Sequence, residues 1–220
     1  MTTRVKICGL RTEAALDAAL DAGADLVGFV LYPRSPRNVS VEQAAALVSR
    51  AHQRGHSGTV TLLVDPDDAL VDRVVEDVKP DVIQLHGSET IARVNEIRAR
   101  SRTCVLKAVA VATPADVGAA FDYASSGQIM LLFDAKPPAD PSALPGGNGL
   151  AFDWRILEGV ADRGPFVLAG GLTPENVAAA ISLTSAAVVD VSSGVESSPG
   201  EKDPELIRRF LRAAKAANQA

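Results

Sequence analysis

The sequence has only two cysteines among its 220 residues, Cys8 and Cys104. They are too far apart for metal-ligand spacing and form no disulfide framework, so a reducing compartment, the cytoplasm, is expected. No basic stretch followed by an apolar one opens the chain, and no signal peptide is expected. No apolar run approaches the length of a membrane span. Positive charge is not in excess: the formal net charge of −5 argues against nucleic acid or an anionic membrane as the main partner. A small anionic ligand remains compatible, because a few local cations or backbone N–H groups suffice to hold one. Aromatic residues make up only 4% of the chain, which leaves small side chains to pack helices closely on a sheet. No linker or shift in composition divides the chain, and residues 1–220 read as a single domain.

Short β-branched, apolar runs recur about every 25 residues, the interval of one strand, one helix and their loops. They are Arg4–Cys8, Asp25–Leu31, Thr59–Val64, Asp81–Leu85, Thr103–Val109, Gln128–Phe133, Pro165–Ala169 and Ala186–Val191. Their continuous apolar character fits parallel strands covered by helices. Helix starts stand between them. Thr12 caps a helix with Leu16, Ala19 and Leu20 on its inner face, ended by Gly23. Ser40 and Gln43 have capping-box spacing. Thr113-Pro114, Thr173-Pro174 and Asp203-Pro204 each place a cap before a proline at the first helical position. Eight strands alternating with helices predict an α/β fold, a (β/α)8 TIM barrel. An open doubly wound sheet is the alternative, but Cys8-Gly9-Leu10-Arg11 stands where a G-x-G-x-x-G fingerprint belongs. The proline- and glycine-rich stretch Pro137–Gly149 follows a strand end and reads as a mobile active-site loop.

Cys8 ends the first strand and Asp134 follows the sixth, so in a closed barrel both reach the same mouth. A lone cysteine in an apolar run is commonly a small buried filler. The strand-end position, with Lys6 two residues earlier on the same face, favours a functional thiol instead. Asp134 is either a cap or a catalytic acid; partial desolvation there favours the protonated form that a general acid requires. Cys104, at the start of the fifth strand, belongs at the opposite rim in a structural role. The stretches Gly170-Gly171 and Ser192-Ser193-Gly194 follow strands seven and eight, where barrels bind phosphate through backbone N–H groups; tight turns are the bland explanation of either alone. Arg37 carries the forked guanidinium suited to a carboxylate, although loop arginines are usually solvated. His86 is a polar wall, a base or a structural histidine, and no second His or Cys near it suggests a metal. His52 and His56 read as exposed.

Taken in order, these motifs resemble the phosphoribosylanthranilate isomerase family of tryptophan biosynthesis. The likeness runs through Lys6-Ile7-Cys8-Gly9, Gly28-Phe29, Ser35-Pro36-Arg37, Gln84-Leu85-His86-Gly87, Lys107-Ala108, Leu132-Phe133-Asp134, Gly146-Gly147-Asn148-Gly149 with Phe152-Asp153-Trp154, Leu168-Ala169-Gly170-Gly171-Leu172 and Asp190-Val191-Ser192-Ser193-Gly194-Val195-Glu196. It implies an Amadori rearrangement of a phosphorylated aminoaldose to its 1-deoxyketose. Asp134 would be the general acid at the ring oxygen and Cys8 the base at C2′. The iminium acidifies C2′, so neither metal nor cofactor is implied. By the same resemblance Arg37 meets the anthranilate carboxylate. Gly171, Ser192, Ser193 and Gly194 cradle the phosphate, and Gly147, Asn148 and Gly149 close over it. Lys6, Gln84, His86, Gly170 and Asp190 complete the expected substrate-binding set. The implied partner is a small phosphorylated substrate, with a monomer expected and a homodimer as the alternative.

Three positions depart from the family pattern. Asn148 replaces a threonine and keeps a turn-compatible polar side chain. Asp65 replaces an asparagine after strand three; it either burdens the substrate's negative charge or turns outward to cap the next helix. Phe133 replaces a leucine and should face the helices. Two rival readings are weaker. The barrel isomerase of histidine biosynthesis uses an aspartate where Cys8 stands. A non-catalytic phosphate sensor would have no need of Cys8 and Asp134 together.

Overall fold

The computed structural model describes residues 2–124, 129–137 and 144–217. Its eight parallel strands close into a barrel in chain order: β1 (Arg4–Cys8), β2 (Leu26–Leu31), β3 (Thr59–Leu63), β4 (Val82–Leu85), β5 (Cys104–Val111), β6 (Ile129–Ala135), β7 (Phe166–Leu168) and β8 (Val188–Val191). The expected strands end within two residues of these, except that Gln128 lies outside the described residues. A two-stranded hairpin follows, β9 (Glu196–Ser198) and β10 (Glu201–Lys202).

Alternation along each strand divides two cores. Ile7, Val27, Phe29, Leu63, Leu85, Phe133 and Leu168 face outward and are buried against the helices. Leu106, Ala108, Leu132, Val167, Ala169 and Val188 fill the barrel interior, and Cys8, Val30 and Leu62 form a smaller cluster. Phe133 lies in the outer core against Phe121 and Phe166, ring centroids 6.4 and 5.5 Å away, as its departure from the family pattern required.

The helices are α1 (Glu13–Asp21), α2 (Val41–Gln53), α3 (Asp68–Arg73), α4 (Ile91–Ser101), α5 (Pro114–Ala124), α6 (Val177–Thr184) and α7 (Pro204–Ala217). Thr12 caps α1, and Ser40 and Gln43 complete both bonds of the capping box on α2. Helices α5 and α7 begin at the expected prolines. Helix α6 starts three residues beyond Pro174, because Thr173 and Asn176 close a separate turn in which Thr173 N–H donates to Asn176 Oδ1. Helix α3 widens into a π-helical turn over Val74–Val78, and Lys79 closes it at φ 56°. Among the described residues no α-helix joins β6 to β7. Two 3₁₀ turns, Trp154–Leu157 and Val160–Arg163, take its place, and the Arg163 guanidinium sits 3.4 Å from the Phe121 ring centroid. No described helix is long and apolar enough to cross a membrane.

Candidate active site

The barrel's C-terminal mouth opens into a cleft. Cys8, Gln84, Asp134 and Asp190 reach it from strand ends, and Arg37, His86, Gly147, Asn148, Gly149, Gly170, Gly171, Ser192 and Ser193 line it from the loops. Lys6 and Gly194 lie behind that lining. Lys6 is buried below Cys8, and a Cβ on Gly194 would collide with the Leu172 carbonyl. Gly28 leaves room for the Lys6 and Cys8 side chains to reach inward side by side. A Cβ there would stand 3.1 Å from Cys8 Sγ and 3.2 Å from Lys6 Cε.

Lys6 Nζ donates to both oxygens of Asp190 at 3.1 Å, across the β1–β8 pairing that sets the two residues side by side. Seen from Cys8, the Asp190 charge offsets part of the Lys6 field. Burial pushes the Cys8 thiol up; Lys6 pulls it back, and the Asp190 charge opposes Lys6. Burial alone would lower Lys6, but Asp190 and Cys8 together raise it. Burial thus favours the Cys8 thiol, and the ammonium below it is positioned to receive a thiolate.

Asp134 Oδ1 accepts from the Ala135 N–H at 2.8 Å, and Oδ2 faces His86 Nε2 at 3.2 Å. Gln84 Nε2 lies 3.0 Å from His86 Nδ1, which holds the imidazole between Gln84 and Asp134. Gln84 Oε1, in a fully buried side chain, has no hydrogen-bond partner among the described residues. Gly170, at φ 86°, brings the chain against Asp134; a Cβ there would meet Oδ1 at 3.0 Å and the Ala135 nitrogen at 2.8 Å.

Arg37 is buried rather than solvated. Its Nε and Nη2 form a bidentate pair with Glu196 at 2.7 and 2.9 Å. The fork expected to meet a carboxylate is therefore occupied, and Nη1 is the nitrogen that lies against Gly147 at the cleft. Asn148 Nδ2 donates to the Leu144 carbonyl at 2.8 Å; residues 138–143 of the expected mobile loop lie outside the described residues.

Asp65 does not cap the next helix, since Asp67 does so. Its Oδ1 accepts from Ser88 N–H at 2.7 Å, which ties its charge to the loop after β4. Beside it, Glu89 accepts from the N–H groups of Asp65 and Gly87 and pairs with buried Lys107 at 2.6 Å. Cys104 sits at the opposite rim as expected, but exposed. His56 is half-buried rather than exposed, and burial lowers it.

Sequence reasoning gave no role to Val30, Tyr32, Leu62 and Val64, the apolar wall of the cleft on the β2–β3 side. Their two-residue spacing along inward-facing strands was the available signal. Among the described residues no group of three or more His, Cys, Asp or Glu is placed to hold a metal ion.

A family model described as N-(5'phosphoribosyl)anthranilate (PRA) isomerase matches residues 5–213. The N-(5'-phosphoribosyl)anthranilate isomerase of Paracoccus denitrificans is 56% identical over 216 residues, covering 98% of this chain and 99% of that protein. The one from Rhodopseudomonas palustris strain CGA009 is 51% identical over 217 residues, covering 99% of this chain and 100% of that protein. Among solved structures, the Thermotoga maritima phosphoribosyl anthranilate isomerase superposes with a TM-score of 0.86 at 36% identity, over 98% of this chain and 100% of that one. A phosphoribosyl anthranilate isomerase in complex with reduced 1-(o-carboxyphenylamino)-1-deoxyribulose 5-phosphate gives a TM-score of 0.83 at 34% identity, over 98% of this chain and 100% of that one.

Proposed function

The chain belongs to the N-(5'-phosphoribosyl)anthranilate isomerase family, and from that premise we propose how its cleft isomerises N-(5'-phosphoribosyl)anthranilate in tryptophan biosynthesis. The observation that carries the assignment of roles is the convergence of Cys8 and Asp134 on one cleft from strands three apart around the barrel.

Asp134 is the general acid. It protonates the furanose ring oxygen as the ring opens to a Schiff base, with Gly170 and the Ala135 N–H fixing its carboxyl and His86 beside Oδ2. The iminium withdraws electrons from C2′. Cys8 acts from its thiolate form, its own proton released to solvent beforehand; it takes the C2′ proton and leaves an enolamine, which becomes the ketone by gaining a proton at C1′. Lys6 stabilises the thiolate, which offsets the burial that disfavours it at rest. The apolar wall of Val30, Tyr32, Leu62 and Val64 suits the aromatic ring, and Arg37 Nη1 meets its carboxylate. The backbone at Gly171, Ser192, Ser193 and Gly194 receives the phosphate, with Gly147, Asn148 and Gly149 above it. No metal or cofactor enters this scheme. We expect a single cytoplasmic domain acting as a monomer; a T. maritima relative is described as dimeric.

A steady-state assay with substrate generated in place tests these roles. Turnover by the natural protein, with a loss of about a hundredfold or more in Cys8→Ser and in Asp134→Asn, is the expected result. Near-natural kcat in either folded variant would remove that residue from the chemistry.

A further inference from the structure

Arg37 belongs to a buried cluster of three charges beside the cleft, and the proposed scheme gives no role to the other two. Glu196 opens β9 and Lys202 ends β10, so the hairpin turns them toward each other, and Lys202 Nζ reaches Glu196 Oε1 at 2.6 Å. The other face of the same carboxylate holds Arg37 through Nε and Nη2. All three side chains are 6% exposed or less. Lys202 Nζ also donates to the Ser192 carbonyl at 2.9 Å and lies 3.2 Å from Ser192 Oγ, which itself donates to the Cys8 carbonyl at 3.1 Å. Gly200 N–H closes the hairpin onto Glu196 Oε2 at 3.2 Å. One carboxylate thus anchors two cations, and each cation leads to a different part of the cleft.

Its sign is wrong for simple attraction. The substrate brings a carboxylate and a phosphate, and a buried anion beside their sites repels both. Arg37 and Lys202 without Glu196 would present two positive charges to those anions; with it they present one. Burial alone would push the Glu196 carboxyl up, yet Arg37 and Lys202 more than offset this and hold it below the usual range, so it stays charged. A retained, opposing charge with bidentate geometry is explained by what it orients. Gly9, at φ 82°, clears the path for the Arg37 stem; a Cβ there would stand 2.7 Å from Arg37 Cδ.

We propose that Glu196 is a positioning residue that clamps Arg37 and Lys202 together, so that Arg37 Nη1 is aimed at the substrate carboxylate while Lys202 braces Ser192 at the phosphate end. This rests on the carboxylate and phosphate contacts assigned above to Arg37 and Ser192. The clamp makes affinity at the two ends depend on one side chain.

Charge and position predict opposite outcomes for Glu196→Gln. If charge dominates, KM falls, because a repelling anion is gone. If position dominates, KM rises by about tenfold or more, the scale of breaking a buried hydrogen-bonded charge pair, while kcat changes far less. The same variant should weaken inhibition by inorganic phosphate, since Lys202 loses its anchor. Glu196→Asp keeps the charge but shortens the reach, and it decides the matter if the glutamine variant does not fold: a raised KM supports the clamp, and an unchanged KM overturns it. Arg37→Met separates this inference from the reading beneath it. A raised KM in Arg37→Met with an unchanged or lowered KM in folded Glu196→Gln overturns the clamp alone. An unchanged KM in Arg37→Met overturns the carboxylate contact and the clamp with it.

Discussion

At Cys8 the balance of buried charge decides when the base exists. Lys6 stands beneath it, but Asp190 offsets part of the ammonium's field, and burial pushes the thiol up. Only the thiolate is alkylated, so the iodoacetamide reactivity of Cys8 should rise with pH towards a midpoint above the ordinary thiol value. Asp190→Asn removes the charge that opposes Lys6. The midpoint for Cys8 alkylation by iodoacetamide should then move to lower pH; a midpoint that stays put or rises would mean that Asp190 does not set the thiol's ionisation. The same variant leaves a buried ammonium unpaired, at a cost of about 3–5 kcal/mol in stability by chemical denaturation. Cys8, Asp134 and the late glycines were legible in the sequence because each stands at a strand end, a position that periodicity fixes. The pairing of Glu196 with Lys202 and of Glu89 with Lys107 was not, although Glu196 and Lys107 stand in motifs that carry the resemblance. In sequence these four residues resemble solvated charges, and their burial follows from pairing between segments that only the closed barrel brings together.

Among the elements, the strands were the easiest to read, because parallel strands buried on both faces leave continuous apolar runs. The β6–β7 connection was the hardest. Its turns depend on local contacts such as Asp153, whose side chain accepts from Arg155 N–H, rather than on a helical repeat. The amphipathic α7 buries Ile207, Phe210, Leu211 and Ala214. Phe210→Ala should cost about 3–5 kcal/mol in denaturant unfolding, and a loss well below that would mean the site collapses around the missing ring. Asp17 on α1 bonds Arg50 and Arg54 of the α2 segment at 2.6–3.0 Å and is held down to about 2, chiefly by its hydrogen bond to Arg50. Its folded value is depressed, so its contribution is present above the unfolded value of about 3.9 and is lost as pH falls through the folded one. The pair is solvent-exposed, and Asp17→Asn should cost less than about 1 kcal/mol near neutral pH. The difference in melting temperature between the two proteins should close as the buffer is taken down to about pH 2. A difference that persists there would assign the effect to packing.

For the whole molecule, barrel closure does two things. It leaves the eight main strands without a free edge, and it brings residues from both ends of the chain, Cys8 and Ser192, to one rim. Among the described residues the large exposed apolar side chains are Ile91, Leu150 and Leu183, each on a different segment. For the monomer proposed above, sedimentation at micromolar concentration should report a single chain, and a concentration-independent dimer would overturn that reading.

The division of labour between Cys8 and Asp134 is the central claim, and substrate deuterated at C2′ tests it most directly. Cys8→Ser slows removal of that hydrogen, so its residual turnover should show a pronounced primary isotope effect. Asp134→Asn slows ring opening, which precedes C–H cleavage, and its isotope effect should collapse. The reverse pattern, or the same isotope effect in both variants, would contradict the assignment of base and acid.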